Sequence, residues 1–185
     1  MKLGLAAALL GALLTSVATA GKSFADDPTV AGFWEQADDK GVVGAWFLFE
    51  EKDGVFQGRL VKTFKKAGEP VITVCAKCPG EQKGEKMLGM TIVKDMKRDG
   101  LAYRDGTILD PRDGSIYHAQ MDLSPDGQKL GVRGYIGLPL LGQTQTWNRL
   151  PDDSIKPADI PKETLAPPPK ETPAPAAKET PAPKP

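Results

Sequence analysis

Apolar and polar positions alternate through residues 115–123: Tyr117, Ala119, Met121 and Leu123 share one face, Ile116, His118, Gln120 and Asp122 the other. Period-two patterning with one polar face marks an antiparallel sheet that covers a core. Strand-length segments of related character are predicted at 32–36, 42–50, 55–64, 87–95, 101–109, 115–123, 129–136 and 143–149. Between many of them lie Asp-Gly turns: "KDG" at 52–54, "RDG" at 98–100, "PRDG" at 111–114 and "SPDG" at 124–127. Gly accepts positive φ and Asp bonds its own backbone, so these pairs favour tight turns. Segment 42–50 breaks the alternation. Trp46, Phe47, Leu48 and Phe49 are consecutive and apolar, so one face is expected to line the core and the other to meet a partner or ligand. No long amphipathic helix is apparent. Short strands joined by tight turns predict an all-β, antiparallel up-and-down β-barrel of about eight strands, because closure removes exposed edges. A barrel of that size is either filled by side chains or holds one small ligand.

The two ends of the chain read differently. Met1-Lys2 is a positive start, residues 3–14 are an apolar run, and Ala18-Thr19-Ala20 or Ser23-Phe24-Ala25 offers a small-residue cleavage site. This is the pattern of a secretory signal peptide, expected at 1–25. The apolar run is short for a membrane anchor, so a periplasmic or secreted mature protein that does not span the membrane is expected. From Pro151 the composition shifts to Pro, Ala, Lys, Glu and Thr, and "KETLAP" at 162–167 is followed by "KETPAP" at 170–175 and again at 178–183. Such a tract has too little apolar surface to offset its ordering entropy. A disordered Pro-rich tail is therefore expected at 151–185, dispensable for folding, with one β-barrel domain at 26–150. The chain has 24 Lys+Arg and 24 Asp+Glu. That balance gives no electrostatic reason to expect nucleic acid or an anionic membrane as a partner. The cluster Lys62, Lys65 and Lys66 reads as a solvated strand end.

Two short stretches point to a family. "GFW", Gly32-Phe33-Trp34, opens the first predicted strand, and "WNR", Trp147-Asn148-Arg149, closes the last. This resembles the lipocalin-like pattern, in which an arginine from the last strand lies on a tryptophan of the first and seals one barrel end. "MLGMTIV" at 87–93, "DGTILDPRDGSIYHAQMDL" at 105–123 and "LGVRGYIGLPLLGQTQTWNRL" at 130–150 resemble an exported bacterial family, domain-of-unknown-function family 2147. The matched positions are Gly32, Asp110, Pro111, Gly114, Tyr117, Arg133, Gly134, Tyr135, Gly137 and Trp147. Leu109 stands where that family commonly has Tyr, and Tyr103 where it often has Trp. The resemblance implies a lipocalin-like fold and export. It implies no activity.

The chain's two cysteines, Cys75 and Cys78, sit in "VCAKCPG". A redox-active pair needs a depressed thiol pKa, and no βαβ pattern surrounds this one. Zinc needs further ligands, of which His118 is the remaining histidine candidate. In an oxidising compartment the simplest outcome is a structural disulfide clip. It would shape the loop between the third and fourth strands. His118 lies on a strand face without an evident nucleophile. Asp110-Pro111-Arg112-Asp113-Gly114 reads as a turn with Pro at its second position rather than a calcium loop. Arg133-Gly134-Tyr135 reads as cross-strand packing or a polar patch at a cavity mouth. "GLPLLGQ" at 137–143 is either packed over the barrel end or exposed for binding.

No catalytic residue, metal set or cofactor follows from these features. The expected function is a non-enzymatic barrel binding a small apolar or amphipathic ligand. The alternatives are an envelope protein-interaction module with a filled barrel, using loops or tail, and a redox-active CxxC protein. Whether the barrel holds a cavity separates the first two.

Overall fold

A computed structural model describes residues 28–65, 68 and 72–162. The expected signal peptide and all of the repeat tail beyond Lys162 lie outside the described residues. Eight antiparallel strands follow in order: β1 Gly32–Ala37, β2 Val43–Lys52, β3 Val55–Thr63, β4 Thr91–Asp99, β5 Ala102–Asp110, β6 Ser115–Leu123, β7 Lys129–Tyr135 and β8 Gln143–Arg149. Each pairs with its sequence neighbour, and β1 pairs with β8, so the sheet is a closed barrel. The closing register sets Trp34 against Arg149 and Gln36 against Trp147.

Seven of the eight strands fall within one or two residues of their predicted bounds. The fourth begins at Thr91, four residues later than expected. Met87 and Met90 are buried, but they enter the core from a loop that turns at Gly89, where φ is +93°. Apolar content there reflects burial and not strand pairing.

Two apolar clusters form on opposite sides of the barrel wall. The larger fills the interior and includes Trp34, Phe49, Phe56, Met96, Tyr103, Met121, Leu130 and Trp147. The smaller lies outside: Phe33, Leu48 and Val61 are buried, with Trp46, Leu150, Ile155 and Ile160 packed against them. This corrects the expectation of a tail free from residue 151. Composition averaged over 151–185 hides two isoleucines in its first twelve residues. These return to the outer face of β1–β3, where Arg59 Nη1 donates to the Pro161 carbonyl at 3.0 Å. The second apolar face of β2 is thus covered by the protein's own chain.

Candidate functional site

One end of the barrel is sealed from the backbone outward. The Arg149 guanidinium carbon lies 4.4 Å from the centre of the Trp34 ring. Its nitrogens donate to the carbonyls of Gly127 at 2.6 Å, Ala31 at 2.8 Å and Thr29. A planar cation can stack and donate in several directions at once, which an ammonium cannot. Trp34 Nε1 donates to Val30 O at 2.8 Å, and Val30 N–H donates to the Tyr103 hydroxyl at 2.9 Å. Burial pushes the Tyr103 hydroxyl's pKa up, opposed by that backbone hydrogen bond. Burial likewise lowers that of Arg149. Gly32 is required here: its φ is +113°, and a Cβ would meet Arg149 Nη1 at 3.0 Å.

Just inside this seal the barrel is solid. At Gly58 a Cβ would meet the Phe49 ring at 2.7 Å, and at Gly106 it would meet Met96 Sδ at 2.1 Å. Two glycines in the wall make room for two large side chains inside it. Phe56 and Tyr103 meet edge-on at 5.1 Å.

The other half is hollow. A cavity of about 730 Å³ opens at this end, and Ala45, Leu60, Ile92, Ile108 and Val132 are among the residues around it. Phe47 stacks on Trp147 at 4.4 Å, the rings inclined by 17°, and both line the cavity. A second aromatic, Phe49, approaches Trp147 at 6.2 Å from the filled half. The polar residues of the lining include three amides, Gln36 on β1 and Gln143 and Gln145 on β8, beside Thr63, Lys65, Asp110 and Arg112. Gln145 Oε1 accepts from Trp147 Nε1 at 3.3 Å and from Gln36 Nε2 at 3.4 Å. These glutamines are not among the predicted site residues. The available signal was parity: 143, 145 and 147 share one face of β8, so Trp147 inside turns both glutamines toward the same side, where they stand exposed at the open end.

Two loops build the rim. In the β3–β4 connection the Cys75 and Cys78 sulfurs sit at bonding distance, with Cα atoms 5.4 Å apart, a spacing that suits a disulfide. The backbone around them forms a small ladder, with Cys75 N–H donating to Glu85 O and Met87 N–H to Thr73 O. Both cysteines are buried. They pack on the β5–β6 turn: a Cβ on Gly114 would meet the Lys77 carbonyl at 2.0 Å. That turn is held by Asp110, which accepts from the Arg112 guanidinium through both oxygens and from the Arg112 N–H. The Arg112 hydrogen bond holds the Asp110 carboxyl below the ordinary aspartate range, against the opposing effect of burial.

The second rim loop is the β7–β8 connection. Arg133 shapes it, donating to the carbonyls of Pro139 at 2.7 Å and Leu140 at 3.1 Å and to Thr144 Oγ1 at 2.7 Å. Arg133 is thus a loop clamp, a role that neither reading of the sequence assigned to it. The loop leaves Ile136, Leu138, Leu140 and Leu141 exposed, Leu140 by 85 %, and Ile136 and Leu141 also border the cavity. Of the two outcomes expected for this apolar loop, the structure shows the exposed one. Gly137 supplies its left-handed turn at φ +71°. Gly134 lies over Tyr117 and Ile108, where a Cβ would sit 3.6 and 3.4 Å from them. Tyr135 points to the outer face beside His118, ring centres 5.4 Å apart. Among the described residues no group of three His, Cys, Asp or Glu side chains is arranged to hold a metal ion.

A family model described as an uncharacterized protein conserved in bacteria, DUF2147, matches residues 32–149, the whole barrel from the glycine under Arg149 to Arg149 itself. The chain belongs to the DUF2147 family. No curated protein matches it. Protein HP1028 from Helicobacter pylori, whose solved structure is described as belonging to the lipocalin family, is similar in fold. It is 19% identical, with a TM-score of 0.61, over 75% of this chain and 94% of that one. At that identity the likeness concerns the fold alone, which in this DUF2147 protein is a lipocalin-like barrel sealed at one end and open at the other.

Proposed function

We propose that this DUF2147 protein is exported and binds a small apolar or amphipathic molecule in the open half of its barrel, without catalysing a reaction on it. The observation that carries this reading is the cavity of about 730 Å³. It falls within the range of small-ligand sites and has their usual character, apolar walls with a few placed polar groups. The lipocalin-like barrel fits the same use. Residues 1–25 carry the composition of an export signal, and the cysteine geometry suits a disulfide formed outside the cytosol. Burial of both cysteines supports a structural clip over a redox pair, which needs an accessible thiolate.

Native mass spectrometry of the mature protein purified from its own cell envelope tests the reading. A non-covalent mass should co-purify and be absent from an Ala45→Leu variant, which narrows the cavity. That variant should stay within about 1 kcal/mol of the parent, since an open site accepts added volume without overpacking. No bound mass, and no uptake of apolar probes in solution, would overturn the proposal.

A second reading rests on a different observation. Ile136, Leu138, Leu140 and Leu141 form an exposed apolar loop beside the mouth, and such patches mark interaction surfaces. An envelope partner docking there would cover the cavity entrance.

A further inference from the structure

The ligand-binding reading leaves open what kind of molecule the cavity prefers, and the amide pair at its mouth bears on that. Trp147 Nε1 is a donor with no accepting capacity. It lies 3.3 Å from Gln145 Oε1. The side-chain amide of Gln145 could be turned over only by facing its NH2 toward the indole N–H, donor against donor. When the two side chains meet, the indole N–H therefore selects the orientation that turns Oε1 toward it. Gln36 Nε2 donates to the same oxygen at 3.4 Å, which reinforces it. With Oε1 engaged twice, Gln145 presents its two N–H donors away from the indole. Among the described residues Nε2 of Gln145 has no hydrogen-bond partner, and its side chain lines the cavity.

The surroundings make this donor selective. Phe47 and Trp147, stacked on each other, form part of the apolar wall next to it, with Ala45, Ile108 and Val132 among the other walls. Gln145 is exposed at the mouth, so its N–H groups are free to bond water until a ligand arrives. A wholly apolar ligand seated against it would cover them without replacing those hydrogen bonds, at a cost in affinity. A ligand with a carbonyl-type oxygen beside an apolar or aromatic body would satisfy them. We infer that Gln145, oriented by Trp147 and Gln36, is a specificity-determining residue, and that the cavity takes amphipathic molecules whose carbonyl oxygen it receives. This inference rests on the ligand-binding reading and refines it. Lys65 and Arg112 also line the cavity, so the carbonyl could belong to a neutral amide or to a carboxylate.

Three probes with one ring system separate these cases: 1-methylnaphthalene, 1-naphthamide and 1-naphthoate. Each would be titrated into the mature full-length protein, with binding followed by calorimetry and by Trp fluorescence. The expected result is that naphthamide or naphthoate binds roughly tenfold or more tightly than methylnaphthalene, the scale of one net hydrogen bond. Preference for naphthamide would assign a neutral head; preference for naphthoate would bring in the rim cations as well. Gln145→Leu removes the two donors without adding a charge or an acceptor for the NH2 of naphthamide, so it should bring naphthamide down toward the affinity of methylnaphthalene while methylnaphthalene binding holds. If circular dichroism shows that variant unfolded, Gln145→Ala makes the same test. Equal affinity for all three probes, or an undiminished naphthamide preference in either folded variant, overturns this inference and leaves the ligand-binding reading standing. Binding of none of the three overturns both.

Discussion

The two halves of this barrel use the same eight strands and the same inward parity, and they differ in what stands at the inward positions. Toward the seal those positions hold Trp34, Phe49, Phe56, Met96, Tyr103, Met121 and Leu130, all buried. Toward the mouth the wall carries Gln36, Ala45, Gly134, Gln143 and Gln145, and a cavity remains. Backbone closure fixes the width of an eight-stranded barrel, so side-chain volume decides whether a given layer is core or pocket. The seal also uses a cation in a way the mouth does not. Arg149 is stacked on Trp34 and bonded to three backbone carbonyls, whereas Arg133 at the mouth holds a single exposed loop in place. One end is built to be rigid, and the other combines space with exposed apolar surface.

Because one half is filled and the other open, damage to the filled half should be the most costly. Trp34→Ala should destabilise by about 3–5 kcal/mol in denaturant titration, because it leaves a large cavity in a layer that cannot collapse. Arg149→Lys should also lose stability, and a double-mutant cycle on the pair should be non-additive. Additive effects would mean the stack contributes nothing and would remove the distinction between the ends. Next in size is the outer strap. Ending the chain after Leu150 should cost about 2–3 kcal/mol by exposing Phe33, Leu48 and Val61, while ending it after Lys162 should leave the midpoint within about 2 °C of the full mature protein. Equal midpoints for the two truncations would show that Ile155 and Ile160 do not stabilise the barrel.

Changes at the mouth should be milder. Replacing Cys75 and Cys78 together with Ser should cost ~1–2 kcal/mol, since the ring they close is very short, and the barrel should still fold. A thiol titration of protein from an oxidising compartment should find neither cysteine free. A midpoint near those of oxidoreductases, roughly −270 to −120 mV against glutathione, would replace the structural reading with a redox one. The smallest effect belongs to Asp110. Its folded pKa is depressed by Arg112, so its contribution is present above the unfolded value, about 3.9, and is lost as pH falls through the lower folded value. With an exposed partner the amount should be under about 1 kcal/mol. Asp110→Asn should remove that part of the acid dependence, read from thermal midpoints between about pH 5 and pH 2.

Much of the architecture could be read from residue order. Alternation at 115–123 and the Asp-Gly turns gave the strands, their number and the closed meander. "GFW" and "WNR" located the seal, and the spacing of Cys75 and Cys78 indicated a loop clip. These features are legible because they are local: a period of two, a residue able to take positive φ, or a short ring needs no knowledge of distant contacts. The late start of β4 was not legible, since Met87 and Met90 are apolar for the interior they fill and not for a strand.

What remained undetermined by sequence depends on positions far apart in the chain meeting across the barrel. Gln36 and Gln145 are 109 residues apart, and only closure of β1 on β8 makes them neighbours above Trp147. The cavity exists because small residues from several strands fall in one layer, a coincidence of register that no single strand displays. Ile155 and Ile160 look like part of a polar, proline-rich tract until the outer face of β1–β3 is in place to receive them. The sequence by itself determined the fold, through local periodicity and turn chemistry. The tertiary structure decided which half of it is filled, which is open and which outer face is covered, because packing depends on the summed volume of side chains that meet only after the chain has closed.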